Sequence, residues 1–225
     1  MSGIMRPVLS GRVPMTRREM YRRFAVFAVG ALVCAIGIGF ITRAGLGTSP
    51  ISSLPFVLSL ITPVSMGVYT LSFNLLFLLC ESLLTRRFTP AQALQVPATL
   101  LFSLCVDGAL RLIPSRYGGP LTGSIVYLLL GCAIMSLGIY LEVLADIIML
   151  PGEAFVRALS RRTGWGFGNV KVGFDSCLAV IAAIAALCAF GRLNGVGAGT
   201  AFSALAVGQL IKVWDRLYRR IRKHH

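Results

Sequence analysis

Thr48-Ser49-Pro50 has the residue types of a helix start: hydroxyl side chains that cap free N–H groups, and a proline that suits the first helical position because it has no N–H to leave unpaired. From Ala44 to Cys80 no residue is charged. The free N–H groups and positive dipole end of this helix would therefore lie where water is scarce, and they need Thr48, Ser49, Ser52 or Ser53 as partners, or an anionic or carbonyl ligand. Further along, Pro151-Gly152-Glu153 repeats the proline-led start but carries its own carboxylate, which offsets the dipole. That asymmetry favours the first element as the ligand side. Asn74 and Asp175 are nearly isosteric polar residues in otherwise apolar segments, and Lys171 stands four residues before Asp175, where the two charges can neutralise each other. The candidate substrate-binding residues are thus Thr48, Ser49, Ser52, Ser53, Asn74, Glu153, Lys171 and Asp175, with Asp175 suited to a coupling proton or cation. The competing reading is that both proline-led elements are capped turns packed against Gly37, Gly39 and Gly67, with no ligand.

The remaining acidic residues invite plainer expectations. Asp107 and Arg111 have the favourable acid-before-base order for a pair near the outer face, and Glu81 reads as interfacial beside Arg86. Glu142, Asp146 and Glu153 read as lying near the inner mouth, solvated or paired with Arg157 and Arg161.

Catalysis finds little support. No G-x-S-x-G, H-E-x-x-H or G-x-x-x-x-G-K-[ST] occurs, and Gly195 and Gly199 make a G-x-x-x-G that reads as a helix-packing motif. The six cysteines all lie in apolar runs without a C-x-x-C pair, and the two histidines, His224 and His225, end a basic tail. No metal site, no cofactor and no enzyme activity is expected.

The elements that must position these residues are membrane helices. Hydrophobic residues make up 56% of the 225, charged residues 13%, and the mean hydropathy is +0.79, whereas a soluble domain is about a quarter charged. Six full spans are expected at about 24–43, 65–84, 90–112, 121–142, 168–190 and 197–214, each near the ~20 residues needed to cross. Pro50, Pro55 and Pro63 leave the piece before Ser65 too short for a span, so it reads as a re-entrant or half helix. The net charge of +14 clusters at the ends. Residues 6–23 and 212–223 carry six basic residues each, which places both termini in the cytoplasm against anionic headgroups. Nucleic-acid binding is not expected, because neither aromatic interleaving nor a binding module accompanies the charge.

Laying residues 30–74 on residues 131–175, at a constant offset of 101, gives ten identities in 45 positions, among them Gly30/Gly131, Gly37/Gly138, Pro50/Pro151 and Phe73/Phe174. The chain therefore divides into a basic arm (1–23), repeat one (24–113), an outside loop (114–120), repeat two (121–214) and a basic tail (215–225). The fold class expected is an all-α multi-pass membrane protein with two inverted repeats, each of three transmembrane helices plus one short proline-led re-entrant or half helix. Three spans per repeat force the two halves into opposite orientations. The charge agrees, since Arg86-Arg87 and the Arg157–Lys171 segment then fall inside. If the short elements crossed, the repeats would be parallel.

Ala44-Gly45-Leu46-Gly47-Thr48-Ser49-Pro50, Leu159-Ser160-Arg161-Arg162-Thr163-Gly164-Trp165 and Gly195-Val196-Gly197-Ala198-Gly199-Thr200 resemble motifs of the YczE/YyaS/YitT-type bacterial integral membrane proteins. The resemblance covers about 24–214 and implies a bacterial inner-membrane protein of a family whose activity is largely unassigned. The function expected is a small secondary transporter or permease for a small, anion-like molecule. A non-transporting scaffold acting on a partner through the basic ends, and a channel, remain as alternatives. Expected partners are the lipid bilayer and a small molecule or ion; a homodimer is compatible with so short a chain.

Overall fold

The computed structural model describes residues 16–116 and 119–223, so the arm's Arg6 and Arg12 and the terminal His224 and His225 lie outside the described residues. Helix α1 (Arg17–Arg43) begins about two turns before the span expected at 24. Thr16 caps it by accepting from the Glu19 N–H at 3.3 Å, and Glu19 holds Arg22 and Arg23 at 3.0 and 2.9 Å. The short helices α2 (Pro50–Ile61) and α6 (Pro151–Thr163) both start at their prolines. At 1.5 Å per residue they extend about 18–20 Å, well short of the ~30 Å of hydrocarbon.

The other helices are α3 (Met66–Thr85), α4 (Pro90–Leu112), α5 (Leu121–Ala145), α7 (Phe167–Phe190) and α8 (Ala198–Lys223), and no strand occurs among the described residues. Five of the six expected spans, α1, α3, α4, α5 and α7, are long and apolar enough to cross a membrane. The sixth, 197–214, forms the first part of α8 and is not among them. Gln209, Lys212 and Asp215, followed by the basic tail, make this helix amphipathic instead of uniformly apolar. It lies along α5, with the Trp214 indole donating to the Ser136 hydroxyl at 3.0 Å and Tyr218 packed edge-on against Tyr140.

The closest packing is between α1 and α5. Gly30 lies against Gly138 and Glu142, Gly37 against Met135, Gly131 against Ile41, and Gly138 against Cys34. Early residues of one helix meet late residues of the other, so the pair is antiparallel. A Cβ on Gly131 would stand 2.7 Å from the Ile41 amide nitrogen, and one on Gly37 or Gly138 would run into the Met135 or Cys34 backbone. Each contact has a counterpart at the 101-residue offset: Gly37–Met135 corresponds to Cys34–Gly138, and Gly30–Glu142 to Ile41–Gly131. Around this seam α1 also packs on α4 and α5 on α8, while α2 lies against α7 and α6 against α3. Rings join the short helices to their neighbours, with Phe77 stacked on Phe155 and edge-on to Phe174.

The charges at the far ends of α1 and α4 are tied down. Asp107 turns to α3 and not to Arg111. Its Oδ1 accepts the Gly67 N–H at 2.7 Å and its Oδ2 the Ser65 hydroxyl at 2.6 Å, so a neighbouring carboxylate meets the positive end of the α3 dipole. Arg43 donates to the Leu110 carbonyl near the end of α4, and the Arg116 guanidinium lies 5.1 Å from the centre of the Tyr127 ring.

Gly138→Ala is expected to cost about 2–3 kcal/mol, read as a lowered melting temperature in detergent. Gly173→Ala has nothing within 4 Å of the new methyl and should leave stability unchanged or raise it by up to about 1 kcal/mol.

Candidate functional site

The chain is clamped before α2 begins. Gly47 takes φ +122°, where a side chain would be strained, and its α-carbon faces Thr200 and Gly197 with no room for a Cβ. The Thr48 N–H and the Gly197 N–H both donate to the Thr200 hydroxyl, at 3.2 and 3.3 Å, and the Gly199 N–H donates to the Leu46 carbonyl at 2.8 Å. Two motifs about 150 residues apart thus close on each other. Gly195 and Gly197 precede α8 and form a turn, with Gly195 at φ +85°. The G-x-x-x-G is therefore not the helix-packing stripe its spacing suggested, because a left-handed residue cannot lie within the helix.

Of the hydroxyls at the α2 start, Thr48 pairs with Thr42 at 2.7 Å, Ser49 donates to Ser52 at 2.9 Å, and Ser53 donates to the Pro50 carbonyl at 2.6 Å. Thr48, Ser49 and Ser53 are buried and bonded within the protein, so they position α2. Ser52 reaches a cavity.

That cavity, of about 60 Å³, lies between α2, α3, α5 and α6 with α1 and α4 behind. The two proline-led helices converge on it, with Ile51 packed against Gly152. Four pairs related by the 101-residue offset line it: Cys34 and Met135, Ile38 and Ile139, Ile51 and Gly152, Ser52 and Glu153. From α3 come Thr70, Phe73, Asn74 and Phe77. The Thr70 hydroxyl donates to the Met66 carbonyl at 2.8 Å, and the Asn74 amide donates to the Thr70 carbonyl at 2.9 Å. Both side chains spend a donor on their own helix and keep an acceptor oxygen.

Glu142 departs most from its expected place. It is not solvated at the mouth but 6% exposed, it lines the cavity beside Glu153, and its Oε1 has no hydrogen-bond partner among the described residues. The α1–α5 seam carries it inward, since Gly131, Met135, Gly138 and Glu142 share one helix face. That spacing was visible in the sequence and is the signal that finds it. Asp146, just past the end of α5, lies 3.7 Å from Arg23; burial pushes its carboxyl above the usual range, opposed by Arg23 and Arg157. Arg157 stands among Glu153, Asp146 and Glu81, and burial followed by the charge of Arg161 lowers its pKa from the ordinary value. Glu81 is drawn to Gln92, Gln95 and Arg157 instead of Arg86, with its Oε2 buried and unbonded.

Lys171 and Asp175 form a 3.0 Å ion pair on α7 and do not line the cavity. Of the eight candidates, Ser52, Asn74 and Glu153 meet there, three support α2, and two pair with each other nearby. No lysine or arginine lines the cavity. Among the described residues no group of three or more His, Cys, Asp or Glu is gathered that could hold a metal ion.

The family of unknown function DUF6198 matches residues 21–216. The chain belongs to this family. It is similar to the uncharacterized membrane protein YczE of Bacillus subtilis, with 23% identity over 197 residues covering 87% of this chain and 86% of that protein. It is also similar to the uncharacterized protein YyaS of the same organism, with 29% identity over 65 residues, 29% of this chain and 32% of that one. No solved structure matches. This DUF6198 protein is accordingly a membrane protein of a family without an assigned activity.

Thr200→Val leaves the buried Thr48 N–H and the half-buried Gly197 N–H of this DUF6198 protein unpaired. It is expected to cost about 2–3 kcal/mol, whereas Thr200→Ser retains the acceptor and should recover most of the loss in the same melting measurement.

Proposed function

We propose that this protein is a small secondary transporter of the bacterial inner membrane, neither an enzyme nor a channel, built from two inverted repeats in which α8 crosses by its apolar first half, so that both termini are cytoplasmic. Its substrate site is the cavity where α2 and α6 meet. The observation that carries this reading is that four pairs of residues related by the 101-residue offset line one cavity between two proline-led half helices. Broken helices from oppositely oriented repeats meeting near the midplane are a recurrent transporter design. The antiparallel α1–α5 seam supports opposite orientation, and the reciprocal packing of α2 on α7 and α6 on α3 ties each half to the other.

The two sides of the site are unequal. Thr70 and Asn74 face the cavity, whereas their counterparts Lys171 and Asp175 are locked in an ion pair outside it. One half holds its polar residues at the cavity while the other holds them away, as a site reached from alternating sides requires. The charge of the lining corrects the chemistry expected from the α2 dipole alone: two glutamates and no basic residue suit a cation better than an anion.

Purified protein in liposomes is expected to take up a member of a panel of small amines, carboxylates and sugars. Gly152→Leu, which would fill the point where Ile51 meets α6, should reduce that uptake at least about tenfold while the protein stays folded. If the unaltered protein moves no solute and deletion of residues 1–15 abolishes its cellular phenotype, the scaffold reading replaces this one. Orientation is checked separately. In a cysteine-free background, a cysteine at Arg87 should label only from the cytoplasmic side and one at Pro120 only from the outer side.

A further inference from the structure

We propose that the cavity binds a small organic ammonium ion, with the Glu142 carboxylate as its counter-charge. This rests on reading the cavity as the transport site, and names the substrate class.

Glu142 is buried, faces the cavity and has an unpartnered Oε1. A buried carboxylate without a partner is strongly unfavourable, and in natural structures such a group is neutralised, paired or ligated. Neither positive group nearby is paired with Glu142: Arg157 has Glu153, Asp146 and Glu81 around it, and Lys171 is held by Asp175 at 3.0 Å. Glu153, at the start of α6, adds a second carboxylate to the same cavity and repels the first, so an added positive charge relieves Glu142 most.

The other polar atoms define the kind of cation. The Thr70 hydroxyl and one Asn74 amide hydrogen are committed to carbonyls of α3, whereas Ser52, which accepts from Ser49, keeps its own hydrogen. With two carboxylates and the oxygens of Thr70 and Asn74, acceptors outnumber the free donors of the lining. An ammonium group, which has three N–H donors and no acceptor, is its complement. The rest of the wall is apolar and aromatic, including Phe73, Phe77 and Phe102. A bare alkali or divalent ion needs a nearly complete oxygen shell and gains little from such a wall. An alkylammonium places its carbon chain there and its charge near ring faces, where cation–π attraction adds to the ion pair. At about 60 Å³, against the ~150 Å³ of a cavity that admits benzene, the space limits such an ion to a few heavy atoms.

The test is a titration of the full-length protein in detergent with n-propylammonium chloride, against sodium chloride and sodium propionate at equal ionic strength, read by calorimetry and by melting temperature. Propylammonium should bind saturably and raise the melting temperature, with neither effect from the two sodium salts. Glu142→Gln should weaken propylammonium binding about thirtyfold or more, and Glu153→Gln should weaken it less. Cys177→Ser, on the exposed side of α7, should bind as the unaltered protein does. Equal stabilisation by sodium chloride, saturable binding of propionate in place of propylammonium, or undiminished propylammonium affinity in Glu142→Gln would each overturn the proposal. If Glu142→Gln does not fold, the comparison of the three salts on the unaltered protein decides alone. Binding without accumulation in liposomes would remove the transport reading and leave the ammonium site standing; uptake of other solutes without amine binding would remove this inference alone.

Discussion

Everything in the molecule is arranged around two helix backbones that touch. Leucine side chains would hold α1 and α5 apart at the usual 8–10 Å, but Gly30, Gly37, Gly131 and Gly138 bring one backbone against the other. In a bilayer, close approach of this kind is a main source of helix association, since lipid offers side chains as apolar a surface as a neighbouring helix does. The antiparallel sense of the seam matters as much as its closeness. It sets the end of α5 beside the middle of α1, so that Glu142 comes to lie against Gly30. Glu142 lines the cavity because a glycine seam carries it inward.

The short helices complete the arrangement by a different route. Neither is long enough to cross, and each finds its partner in the other group of four helices: α2 on α7, α6 on α3. Their starts are fixed from outside. For α2 the clamp is the Gly47–Thr200 interlock, with Leu46 receiving the Gly199 N–H. For α6 it is the close fit of Gly152 under Ile51. Hydroxyls that in a soluble protein would face water at a helix start are here bonded to one another, which is what backbone irregularity within a membrane protein requires. Satisfaction is not complete: Glu142 Oε1 is one of the buried polar atoms without a partner among the described residues, and its side chain lines the cavity.

Local signals made several elements legible. Both proline-led starts fall where the sequence places them, because a missing N–H and a fixed φ act within one turn. The long apolar runs of α1, α3, α4, α5 and α7 declare themselves by length, whereas α8 joins an apolar first half to a basic second half and does not. Individual side-chain partners were less legible. Asp107 stands four residues from Arg111, yet it caps α3, since the N–H of Gly67 and the hydroxyl of Ser65 offer it two hydrogen bonds across the helix pair.

Residue types and their spacing alone determined that the chain belongs in a membrane, that a 101-residue offset relates its two groups of helices, and that prolines start the two short ones. These properties are additive along the chain or local to a turn. Tertiary structure alone decided that Thr48, Ser49 and Ser53 bond within the protein and stay out of the cavity lining, that Lys171 and Asp175 pair outside the cavity, and that Glu142 enters it. Each of those outcomes depends on which helix face meets which neighbour, and at what depth. That is set by where backbones can touch, a property of two segments together that neither carries by itself.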